Sequence, residues 1–171
     1  MPYLTPADLA ERPGATELAQ VASSQHGAMV DYALMDATLR GADRSAWAVD
    51  AVAAADEALG RVQNAVTEAE SMIDGFLVKR GYPLPLSPVP ALVTGWARSI
   101  ARYLLHKDRI SDDRSDPIAR DYRDALKFLG LTAEGKFSLG AADPVVSVSA
   151  TDVRFEGDVP VFSRGELRGF R

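Results

Sequence analysis

Apolar and polar positions fall into three regimes along this chain. The clearest begins at Ala51, where Val52, Ala55, Leu59, Val62, Val66, Ala69, Ile73 and Phe76 recur at steps of three and four. That spacing keeps one apolar stripe on one helical face and predicts a helix to about Arg80, on the order of 45 Å at 1.5 Å per residue. The opposite face carries Asp56, Glu57, Arg61, Gln63, Asn64, Glu68 and Glu70, as a solvated surface should. Gly60 and Gly75 sit inside the pattern, where they weaken the helix slightly or admit a close neighbour.

Gly81 to Pro90 breaks the pattern. Pro83, Pro85, Pro88 and Pro90 forbid a helix there and predict a stiff, extended connector. A second helix is predicted from Pro90 to about Arg109, with Leu92, Val93, Trp96, Ala97, Ile100, Tyr103 and Leu104 as its buried stripe. Asp108 to Ser115 reads as a charged turn. Asp116 as N-cap and Pro117 at the first helical position open the last helix, whose inner face is Ile118, Tyr122, Ala125, Leu126 and Leu129. Gly135 is its stop.

The region before Ala51 is less regular. Thr5-Pro6-Ala7-Asp8 is a helix start with Thr5 as N-cap, and Pro13-Gly14 is expected to end that helix. Thr16 to Ala22 predicts a further turn or two with Leu18 and Val21 inward. Between Gln25 and Asp50, the pairs Met29-Val30 and Leu34-Met35 suggest a short helix and Gly41 to Ser45 a loop.

The third regime is the chain end. Residues 136–171 carry Val145, Val146, Val148, Val153, Phe155, Val159, Val161, Phe162, Leu167 and Phe170 in no helical order, with balanced charges. Disordered tails are normally poor in such side chains. The division predicted is therefore a helical bundle over 1–135 and an extended C-terminal arm over 136–171. Weak alternation at 152–156 and 159–162 also suits short strands folded back on the bundle, and pattern alone does not separate the two.

Composition narrows the chemistry. The chain has 171 residues, a formal charge of −5 and no cysteine, with a pI near 5.0. Cysteine-based catalysis, thiolate metal sites and disulfides are excluded, and an acidic balance argues against coating a nucleic acid duplex. The opening Met1-Pro2-Tyr3-Leu4-Thr5-Pro6 does not read as a signal peptide, and no run of apolar residues is long enough to cross a bilayer, so a soluble protein made in the cytosol is expected. His26 and His106 have no metal-ligand spacing. The run from Asp108 to Asp116 lacks the glycine and glutamate of a calcium loop, and no glycine-rich phosphate loop occurs. No catalytic constellation, cofactor or metal is expected.

One surface feature rises above this background. Arg98, Arg102 and Arg109 are four and seven residues apart and share a helical face. The plain reading is a solvated row paired with Asp121, Asp124 or glutamates of the long helix. The functional reading is a contact between subunits or with a partner.

At this point the residues resemble a known family. Pro83-Leu84-Pro85-Leu86 through Val89-Pro90, followed by the run from Trp96 to Arg109, is similar to the central signature of Mu-type phage head–tail connector proteins. The opening Tyr3, Thr5 and Asp8-Leu9 also match, as do Ile73 to Leu77, Ile118 to Tyr122, the step from Gly135 to Gly140 and the ending from Phe162 to Phe170. The resemblance implies an all-α structural protein of the virion, assembled in the host cytoplasm. It would form a ring below the portal protein, commonly twelve-fold, with further neck or tail proteins beyond it. Genome DNA would pass through the channel without being specifically bound. The resemblance favours the arm over the folded-back strands, with Phe155, Val161, Phe162, Arg164, Leu167, Arg168 and Phe170 as partner-binding residues. Arg98, Arg102 and Arg109 would then serve between subunits. The competing reading is a helical DNA-binding accessory or regulatory protein that uses the same three arginines on phosphate.

Overall fold

The computed structural model describes residues 2–24, 28–140 and 143–144. Helices account for its regular structure, and no strand occurs among the described residues. The expected all-α bundle with one dominant helix is the architecture found.

Helix α1 (Pro6–Leu9) is set by a reciprocal cap. Thr5 Oγ1 accepts the Asp8 N–H, and the Asp8 carboxylate accepts the Thr5 N–H at 2.8 Å. As expected, the helical course breaks at Pro13-Gly14: Arg12 (φ −147°, ψ 119°) and Gly14 (φ 108°, ψ 153°) are both non-helical. A wide, kinked turn over Ala10–Gly14 joins α1 to α2 (Ala15–Ala22). Leu18 is buried there, whereas Val21 is only half-buried.

The segment that read least clearly contains a well-capped helix, α3 (Tyr32–Arg40). The Asp31 carboxylate accepts the N–H groups of Ala33 and Leu34, and Gly41 ends the helix with a left-handed φ of 66°. Leu34, Met35 and Leu39 enter the core, and Ser23, buried at the end of α2, accepts the Val30 N–H at 2.9 Å.

Helix α4 (Val49–Arg80) is 32 residues long and starts two residues before the apolar stripe does. Ala55, Val62, Val66, Ala69 and Ile73 are buried as predicted, and Ala58, Ala65 and Leu77 widen the stripe; Leu59 is only half-buried. Gly81, at φ 94°, closes the helix by donating its N–H to the carbonyls of Leu77 and Val78. The proline connector is not a simple extended run, because it tucks Tyr82 and Leu86 into the core.

Helix α5 (Ala91–His106) packs antiparallel to α4. It starts beside the end of α4, and its own end, Leu104 and Leu105, stands beside Arg61, Asn64 and Ala65. Val93, Trp96, Ala97 and Ile100 are buried; Leu104 is half-buried, and Leu92 is exposed, because its position falls outside the arc that faces α4 and the last helix. A single tight turn, Lys107–Arg109, finishes it. The charged loop is held by Asp112, which accepts the Arg114 N–H and the Ser115 hydroxyl. Asp116 then caps α6 (Pro117–Ala133) through the N–H groups of Ile118 and Ala119. Trp96 stacks on Phe128 and Tyr103 on Tyr122, so α6 runs antiparallel to α5.

The chain beyond α6 does not leave the bundle at Gly135. Phe137 packs edge-on against Trp96 and Phe128, with centroids 6.1 and 5.4 Å away. Leu139 lies against the core, and its N–H faces the Tyr82 hydroxyl at 3.4 Å. Arg80 reaches the Pro144 carbonyl at 3.4 Å and the Asp143 carboxylate at 3.9 Å. The near end of the segment assigned to the arm is thus seated on the bundle as far as Pro144.

Candidate functional site

The arginine row expected on α5 divides into three environments. Arg102 lies at the centre of an ion pair between elements far apart in sequence. Its Nε and Nη2 donate to the two carboxylate oxygens of Glu17 on α2, at 2.6 and 2.8 Å. This fork-on-fork geometry is the strongest available to the pair, and hydrogen bonding to Glu17 pushes the guanidinium's pKa above its ordinary value. His106, half-buried one turn later, faces the same carboxylate at 3.3 Å through Nε2, while Nδ1 meets the Arg102 carbonyl at 2.8 Å. The expected partners Asp121 and Asp124 make no ion pair with Arg102. Asp121 pairs with Arg120 instead and adds only a longer-range attraction.

Arg98 is half-buried, with its Nε sealed from solvent and no hydrogen-bond partner among the described residues. Its charge is felt at Asp8, whose carboxyl is held below its ordinary pKa first by the Thr5 hydroxyl, then by the Thr5 N–H, with a small contribution from Arg98. Arg12, from the wide turn before α2, joins Arg98, Arg102, Pro13 and Glu17 around a shallow cleft of about 290 Å³. Arg12 is exposed and also unpartnered among the described residues. Sequence spacing does not reveal Arg12 or Glu17 as members of this group, since they are brought to α5 by packing alone.

Arg109 stands apart from the other two. It is exposed in the turn after α5 and lines a larger cleft of about 510 Å³ with Arg61, Asn64, Glu68, Asp108 and Ser23. Arg61 is occupied there by Glu57 and by the Ala22 carbonyl.

Two further concave surfaces lie elsewhere. The proline connector and Leu139 enclose an apolar cleft of about 460 Å³, walled by Tyr82, Pro83, Leu86 and Pro88. The starts of α3 and α4 enclose another of about 500 Å³, rimmed by Asp31, Asp50 and Glu57 over Val30, Leu34, Ala51 and Ala54. Beside it are the most exposed large apolar side chains of the described residues, Met29 at 64%, Tyr32 at 65% and Val49 at 87%.

The anchors expected in the arm, Phe155, Val161, Phe162, Arg164, Leu167, Arg168 and Phe170, lie outside the described residues, as does His26. Among the described residues no group of three or more His, Asp or Glu side chains is placed to hold a metal ion, and no helix is long and apolar enough to cross a membrane.

The family model described as Bacteriophage Mu, Gp36 matches residues 3–155. The Mu-like prophage FluMu protein gp36 of Haemophilus influenzae is 37% identical over 134 residues, which cover 78% of this chain and 89% of that protein. The match runs from the Thr5–Asp8 cap through α6 and into the segment that follows it, so it takes in every helix described above. The chain belongs to the bacteriophage Mu Gp36 family.

Proposed function

We propose that this phage protein is a structural head–tail connector: a helical adaptor that forms a ring below the portal and grips it through its C-terminal segment. The carrying observation is family membership combined with the apolar content of residues 145–171. Among the described residues the core draws on every helix and on Phe137 and Leu139, while residues 145–171 hold two phenylalanines before Phe170 and a series of valines. Phenylalanines and valines concentrated in one segment of this kind suit a partner surface. Homo-oligomerisation into a ring, the portal and neck proteins as partners, a place at the head–tail junction and the absence of catalysis all belong to this reading.

The DNA-binding alternative draws less support. Of its three arginines, Arg102 is committed to Glu17 and Arg98 is half-buried, which leaves Arg109 as the freely solvated cation. Phosphate neutralisation by one arginine on a chain of charge −5 is weak.

Native mass spectrometry with the portal protein of the same phage tests the proposal. The expected result is a complex with many copies of this chain per portal ring, at any salt that preserves the portal itself. Failure to bind the portal, together with salt-sensitive binding to duplex DNA, would transfer the assignment to the alternative.

A further inference from the structure

We infer that copies of this chain associate head to tail, the arginine cleft of one copy receiving the acidic, apolar-flanked rim that Asp31 and Asp50 form at the starts of α3 and α4 of the next. This deepens the connector reading and rests on it, because it supplies the contact from which a ring is built.

Two observations meet in it. Arg12 and Arg98 are cations without a hydrogen-bond partner among the described residues, Arg98 with its Nε shut away from water. A guanidinium in that position is stabilised by a carboxylate brought to it from outside, since Glu17 is already saturated by Arg102. The other cleft offers the complement. Asp50 has no ion-pair partner among the described residues, and Asp31 caps α3 with Oδ1 alone. Glu57, on the same rim, is paired with Arg61 and contributes less.

Met29, which lines the same cleft, and Tyr32 and Val49, next to Asp31 and Asp50 in the chain, are all largely exposed. Methionine and tyrosine are enriched in the buried centres of interfaces, and arginine is the cation most often found against them. Charge complementarity therefore selects a second copy of this chain as the occupant, and the two clefts share no residue. A contact between two different patches of one chain is heterologous. Used head to tail rather than reciprocally about a two-fold axis, it propagates from copy to copy and forms a ring when the rotation closes.

Association is read by sedimentation equilibrium over a range of concentration, with circular dichroism confirming the fold of each variant. Arg12→Glu, Arg98→Glu and Asp50→Lys are each expected to weaken association about tenfold or more. Arg98→Glu combined with Asp50→Lys on one chain restores part of it, because the Arg98–Asp50 pair then has both charges exchanged while Arg12 and Asp31 keep theirs. Arg12→Glu keeps the test valid if Arg98→Glu, at a half-buried position, fails to fold.

The chain has no cysteine, so cross-linking gives a second readout. Mixing a chain carrying Arg12→Cys with one carrying Asp50→Cys should produce a disulfide between the two kinds of chain and none within either kind. A wild type that associates but is indifferent to every reversal overturns this contact and leaves the connector reading standing. So does association abolished by truncation after Pro144 and not by reversal, which would make the C-terminal segment the occupant. A wild type that stays monomeric at all concentrations and on the portal overturns both readings.

Discussion

Tyr3 shows how single residues tie the start of the chain to the long helix. Its hydroxyl donates to Asp74, and the Tyr3 and Leu4 N–H groups donate to Glu70 at 2.5 and 3.2 Å, so two carboxylates one turn apart on α4 hold the chain start in place. Burial, then the hydrogen bond to Asp74 and its charge, push the phenol well above its ordinary pKa of 10.0. The folded state therefore keeps a proton that the unfolded chain releases. The resulting stabilisation is fully present below pH about 10 and is lost as pH rises through the folded pKa. Urea unfolding should show Tyr3→Phe less stable than wild type by about 1–2 kcal/mol near neutrality, with the gap narrowing at strongly alkaline pH. A gap that widened there would contradict the burial of the phenol. Glu17 is the second such tie, holding α2 to α5 through Arg102. Glu17→Ala strips the guanidinium of both acceptors in a partly solvated site, so a loss of about 1–2 kcal/mol is expected by the same measurement.

At the scale of elements, side-chain periodicity and backbone punctuation carried different parts of the fold. The stripes of α4, α5 and α6 are legible because each helix is long enough for its apolar arc to repeat several times. Helix α3 offers only two turns, yet Asp31 and Gly41 bracket it as cap and stop; those two residues, rather than periodicity, are the signal that finds it. Leu92 was misplaced because a broad stripe on a short helix has ill-defined edges, and the connector because proline content predicts stiffness without saying what folds inward. The Glu17–Arg102 pair spans 85 residues and leaves no local mark. Two predictions belong here. Trp96 is buried between Phe128 and Phe137, so Trp96→Ala should cost about 3–5 kcal/mol; a loss below about 1 kcal/mol would mean that α6 does not cover it. Gly75 is the reverse case. It lies within regular α4, and a Cβ added there meets nothing within 4 Å. Gly75→Ala should therefore raise stability by about 0.5–1 kcal/mol in the isolated chain, measured as a rise in urea midpoint.

For the whole molecule, the question is where the folded body ends and the partner-binding segment begins. Sequence alone put the boundary at Gly135, where helical order stops. Packing carries the body further, since Phe137 completes an aromatic group with Trp96 and Phe128, Leu139 adjoins Tyr82, and Arg80 holds Asp143 and Pro144. Truncation after Gly135 should for that reason uncover Trp96 and lower the melting temperature by several degrees, because an aromatic contact worth about 1 kcal/mol beyond its buried area is removed together with that area. Truncation after Pro144 keeps all of these contacts and should leave melting temperature and helical content at the wild-type values. The second variant then isolates what residues 145–171 contribute to assembly. Under the connector reading it still self-associates through the clefts on α3–α4 and α5 but no longer stays on the portal, because the anchors Phe155, Phe162 and Phe170 are gone. Loss of stability in the Pro144 variant would instead make the remaining residues part of the core, and unaltered portal binding would place the portal contact on the bundle itself.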